Sequence, residues 1–108
     1  MKELLGNITR LVKEELTRAN EKNPMFHSDH EAFAVIDEEV WEVMQEFELM
    51  SAGCKNFKDA TYRDRSTELK GNAVAMIKNA AVRCACEAVQ VAAMCDKWVQ
   101  SKEKSDEK

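Results

Sequence analysis

Asp37, Glu38, Glu39, Glu42 and Glu46 place five carboxylates in a segment whose apolar residues recur at helical spacing. On a helix, Glu39 and Glu42 stand three residues apart and present their carboxylates from neighbouring points of one surface. Like charges that close repel and destabilise the helix unless a cation neutralises them. No Lys or Arg occurs from Asp29 to Met50, so the segment supplies no cation of its own. Two readings stay open: a solvated acidic face, or carboxylates that converge on a metal ion. A second acidic position on another mostly apolar stretch favours the ion. Glu87 is that position, set with Gln90 between Ala80 and Cys95 among small and apolar neighbours. An unpaired glutamate is costly in such surroundings. Its partner is either Arg83, four residues back, or a cation shared with Glu39 and Glu42. Ligands that are all oxygen select Mg²⁺ or Mn²⁺ over zinc.

Three helical segments must position these groups. The first is expected from about Lys2 to Ala19, with Leu4, Ile8, Leu11, Val12 and Leu16 on one side. The residue before Pro24 resists the helical region and ends it. Ser28-Asp-His-Glu31 reads as a capping box for the second helix. That helix is expected to reach about Met50, with a stripe of Phe33, Ile36, Val40, Val43, Met44 and Phe47, and Ser51-Ala-Gly53 stops it. Asn56 to Arg65 is polar and reads as a loop with a short helical turn. Ser66 or Thr67 caps a last segment to about Gln100, which would span roughly 50 Å unbroken. A break near Gly71-Asn72, or an extension used in subunit contact, is therefore expected. Residues 1–100 form one domain in this reading, and the charged tail 101–108 is disordered.

The fold class is all-α: a helical bundle in which the second and last helices run antiparallel and share the acidic site. The last segment is apolar on nearly every face, so homo-oligomers are expected. Hydrophobic residues make up 44% and charged residues 33%, a balance that argues against disorder. The net charge of -4 with no basic stripe argues against a nucleic-acid duplex as partner. No apolar run approaches the roughly 18 residues of a membrane span. Met1-Lys-Glu-Leu-Leu-Gly lacks the core of a secretory signal, and a cytoplasmic protein is expected. Cys84 and Cys86, two apart on a helix, point in different directions and suit neither zinc nor a disulfide. With Cys54 and Cys95 they read as small buried thiols in a helix core.

Glu38-Glu-Val-Trp-Glu42 resembles the EExxE motif of the MazG-like all-α nucleoside triphosphate pyrophosphohydrolases, and Glu87-Ala-Val-Gln90 sits where that family has ExxD. Phe26-His27-Ser28 resembles the stretch that precedes the first motif in dCTP-pyrophosphatase-type members. The resemblance covers roughly Met25 to Trp98. It departs from the family in Gln90, which replaces the aspartate, and in a longer gap between Glu42 and Glu87. A literal ExxD at Glu103-Lys-Ser-Asp106 lies in the polar tail and reads as coincidence.

The resemblance implies hydrolysis of a nucleoside triphosphate between the α and β phosphates, giving the monophosphate and pyrophosphate. It implies Mg²⁺, with Mn²⁺ as a substitute, held by Glu39, Glu42 and Glu87 with the Gln90 amide oxygen. Glu38 and Glu39 are the catalytic carboxylates in this reading. Arg83 and Lys97 meet phosphate oxygens, and Phe26 and His27 meet base or sugar. Dimers or tetramers are implied as well. The alternative is a non-enzymatic helical oligomer that keeps the fold and has lost turnover through Gln90.

Overall fold

The computed structural model describes residues 1–106, and every element in them is an α-helix: α1 (Lys2–Lys22), α2 (Asp29–Tyr62) and α3 (Thr67–Asp106). Asn23, ahead of Pro24, takes an extended backbone (φ -142°, ψ 93°) and ends α1. The Ser28 hydroxyl accepts a hydrogen bond from the Glu31 N–H at 3.1 Å and starts α2. Ser66 caps α3 in the same way through the Leu69 N–H at 3.2 Å.

Residues 51–53 do not stop α2. Gly53 lies inside the helix and buried, where an added Cβ would meet Ile77 Cγ1 at 2.9 Å and Met76 Cγ at 3.3 Å. The glycine is there so that α3 can approach. The helix also absorbs most of the stretch expected as a loop, up to Tyr62. Its real end is at Asp64, whose φ of 50° is left-handed. The Arg65 N–H bonds Ala60 O at 2.8 Å and the Asp64 N–H bonds Thr61 O at 3.2 Å, closing the last turn. Aspartate tolerates this conformation better than most side chains.

α3 has no break at Gly71-Asn72; it continues for 40 residues, about 60 Å of rise. It also continues through Ser101–Asp106, the part of the tail expected to be disordered. The reason is tethering. Ser101 Oγ accepts from the Phe26 N–H at 3.0 Å and donates to Lys97 O at 2.8 Å, while Lys102 Nζ meets Asp29 at 2.7 Å. Glu107 and Lys108 lie outside the described residues.

Contacts fall into two compact units, one from residues 1–40 with the chain from Glu87 onward, the other from residues 41–86. In the first, Val12, Leu16, Phe26, Ala32, Ala93 and Met94 form the core, with α1 packed on the start of α2 and the end of α3. The start of α2 runs antiparallel to the end of α3: Asp29 accepts from Trp98 Nε1 at 3.0 Å as well as from Lys102. Asn20 Nδ2 donates to Gln100 Oε1 at 3.0 Å, tying α1 to the same end of α3. In the second unit the helices are again antiparallel, with Val43 O against Cys84 Sγ (4.0 Å) and Gly53 against Ile77. Its buried positions are small: Gly53, Ala60, Ala73 and Ala80.

The stripe expected to centre the core of α2 is not its packed side. Phe33, Val40, Met44 and Phe47 are exposed, and Ile36 and Val43 are half-buried. The buried residues Ala32 and Gly53 instead project to the side that carries Glu39, Glu42 and Glu46, about 130° round the helix from the stripe. Small residues let helices approach closely, and on α2 these lie on the acidic side.

Candidate metal centre

α2 and α3 bring three of the expected ligands together. Glu39, Glu42 and Glu87 are each half-buried, and one carboxylate oxygen from each lies within 4.8 Å of the others. Glu39 and Glu42 come from successive turns of α2, as the three-residue spacing requires. Glu87 comes from the apolar middle of α3, where Ala80 and Ala93 are buried. Mg²⁺ bonds oxygen at about 2.1 Å, which sets ligand oxygens about 3–4 Å apart, so modest side-chain adjustment suits the trio to such an ion. The donors are all carboxylate oxygen, the set that hard cations prefer.

Arg83, named as the alternative partner for Glu87, bonds Glu46: its Nε lies 2.8 Å from Glu46 Oε2. This is a cross-helix cation for the stretch from Asp29 to Met50, which has no Lys or Arg of its own. Glu38 is exposed and outside the trio, consistent with its turning away from the packed side. Gln90 is half-buried one turn after Glu87.

The residues expected at the substrate are spread further. Phe26 is buried and His27 beside it is exposed. Lys97 is only 5% exposed, and its ammonium sits 4.7 Å from the Phe26 ring centroid. Sequence reading named both residues but not this contact. Lys97 is about 15 Å of helix rise beyond Glu87, so a contact with a metal-bound phosphate requires it to leave the ring.

Asp29 was not singled out from the sequence, yet it joins two helices. Hydrogen bonds from Lys102 and then Trp98 hold its carboxyl below the ordinary value of 3.8. Nothing local marks it, because its partners lie some 70 residues away. A surface cleft in residues 41–86, lined by Asn56, Arg65, Leu69 and Met76 among others, contains none of the expected site residues.

No family model, curated protein or solved structure matches the chain. No helix among the described residues is long and apolar enough to cross a membrane.

Proposed function

We propose that the chain is a Mg²⁺-dependent nucleoside triphosphate pyrophosphohydrolase. The observation that carries this reading is the convergence of Glu39, Glu42 and Glu87. Together with the order of the two motifs, an oxygen-only trio on facing helices suits a divalent ion that binds polyphosphate. Bound there, the ion supplies charge neutralisation for the phosphates and a more acidic water.

The chain's own residues do the rest. Glu39 and Glu42 hold one side of the site from the second helix, and Glu87 holds the other. Glu38, exposed on the adjoining turn, receives a proton as water attacks the α-phosphorus and the bridging bond to the β-phosphate breaks. Water supplies the new oxygen on the monophosphate, and pyrophosphate leaves. Gln90 offers a neutral amide oxygen, which weakens the hold on the ion relative to a carboxylate. Arg83, already on Glu46, is close in sequence to Glu87 and offers a second cation to phosphate. Phe26 and His27 contact base or sugar.

A second reading rests on Gln90: the same fold and metal site without turnover. Pyrophosphate and monophosphate release from a panel of ribo- and deoxyribonucleoside triphosphates, with Mg²⁺ or with chelator, separates the two. Mg²⁺-dependent release in equal amounts supports the enzyme. Mg²⁺ binding without release from any nucleotide supports the second reading.

A further inference from the structure

The turn end of the α2–α3 hairpin holds a cleft that the metal site does not use. It lies wholly within residues 41–86 and has a volume of about 320 Å³, at the small end of the roughly 300–1,000 Å³ of small-molecule sites. Its floor is apolar and small: Ala60 and Ala73 are 5% and 6% exposed, with Leu69 and Met76 beside Ala73 on α3. Its walls are polar where a helix pair usually closes with large apolar side chains. On α2, Asn56 projects about 40° from buried Ala60 and about 60° from buried Gly53. On α3, Asn72 projects about 40° from Met76 and about 60° from Leu69.

We propose that this cleft binds a small organic anion whose carboxylate or phosphate meets Arg65 and whose amide-like edge meets Asn56 and Asn72. The charges around the cleft single out an anion. Asp59 is paired with Arg63 at 2.9 Å, and Lys70 with Asp64 at 3.5 Å. Arg65 has no carboxylate partner among the described residues, so it leaves one positive charge uncompensated at the cleft. Its guanidinium fork matches carboxylate and phosphate alike. The turn sets its position: the Arg65 N–H bonds Ala60 O at 2.8 Å, just after the left-handed Asp64. The side chains of Asn56 and Asn72 likewise have no protein hydrogen-bond partner among the described residues. Each amide offers two donors and an acceptor, which suits a peptide amide or the imide edge of a pyrimidine. An inorganic ion would use Arg65 alone, and an uncharged ligand would leave it unused.

Asn56 lies about 21 Å of helix rise beyond Glu42, so binding in the cleft is read independently of the metal centre.

Titration of the full chain in chelator, where no metal-bound nucleotide contributes, tests this through the asparagine side-chain amide resonances in nitrogen-15 NMR spectra. The probes are N-acetyl-leucine, uridine monophosphate and inorganic phosphate. The expected result is a saturable shift of the Asn56 and Asn72 amides with one or both organic probes, and much weaker binding of inorganic phosphate. Binding of N-acetyl-leucine alone assigns the site to carboxylates, and of uridine monophosphate alone to phosphate esters. Arg65→Gln, at an exposed position, is expected to weaken binding about tenfold or more while keeping parental circular dichroism. Asn72→Leu, which narrows the cleft and removes an amide, is expected to abolish it. Lys70→Gln, outside the cleft, is expected to bind as the parent does. No saturable shift with either organic probe overturns the proposal. So does inorganic phosphate binding as tightly as they do, or a loss with Lys70→Gln equal to that with Arg65→Gln, since either reduces the effect to surface charge.

Discussion

The two flanks of α2 reverse the usual assignment of polar and apolar side chains. The flank that packs on α3 carries Glu39, Glu42 and Glu46, each half-buried, while the flank with Phe33, Met44 and Phe47 stands exposed. Helix sides usually sort the other way, with apolar residues towards the core. What sets the packed side is size: Ala32 and Gly53 allow close approach, and phenylalanine does not. The acidic flank is partly neutralised by Arg83 on Glu46. In our account a divalent ion serves the trio.

The ion gives the largest expected effect on the acidic flank. Free Mg²⁺ at one hundred times its Kd stabilises the folded chain by about 2.7 kcal/mol, seen as a higher melting temperature than in chelator. Glu39→Gln and Glu87→Gln are expected to abolish that difference. An unchanged melting temperature in the parent would favour a merely solvated face.

Close approach itself can be broken. Gly53→Ala puts a Cβ against Ile77 Cγ1 at 2.9 Å and Ile77 N at 3.3 Å. Overpacking of this kind costs about 1–3 kcal/mol, and the better helix propensity of alanine returns up to about 1. Gly71→Ala, with nothing within 4 Å, has only the propensity gain and is expected to raise stability by about 0.5–1 kcal/mol. Denaturant unfolding of the pair reads both signs. Equal effects at the two glycines would contradict close packing at Gly53.

Much of the architecture was legible. Pro24, the Ser28 cap and the Ser66 cap mark helix ends through local chemistry, and the structure uses all three. Gly53 was misread for one reason. Glycine signals either a stop or a close approach, and only the neighbour at Ile77 distinguishes them. The tail was misread because Ser101 and Lys102 are anchored by Phe26 and Asp29, far away in sequence. The trio was legible in its residues, since i, i+3 spacing and an acid in an apolar helix are local facts. Which flank of α2 faces α3 was not, because an apolar stripe reads as core whether or not it is packed, and only the neighbours on α3 show that it is not.

Gln90→Asp sharpens the metal reading. A carboxylate one turn beyond Glu87 is expected to tighten Mg²⁺ binding about tenfold, or about 1.4 kcal/mol. If Gln90 is instead a core amide, the change lowers stability without tighter binding. Mg²⁺ titration with circular dichroism as the folding control separates these outcomes.

The smallest effect lies at the start of α2. Lys102 and Trp98 hold the Asp29 carboxyl below 3.8, so its folded value is lower than its unfolded value. Its stabilising contribution is therefore present above the unfolded value and lost as pH falls through the folded one. Asp29→Asn is expected to lower the melting temperature slightly at neutral pH and to converge on the parent below about pH 4. Melting curves from pH 2 to 7 test it, and a difference that grows on acidification would contradict the assignment.

Mn²⁺ binding followed by electron paramagnetic resonance tests the central claim most directly, because it reads the ion itself and needs no substrate. The parent is expected to bind Mn²⁺ and release it to excess Mg²⁺. Glu39→Gln, Glu42→Gln and Glu87→Gln are each expected to weaken binding at least tenfold while keeping parental circular dichroism. A parent that leaves the free Mn²⁺ signal unchanged, or three variants that bind as it does, would contradict a metal centre at these carboxylates.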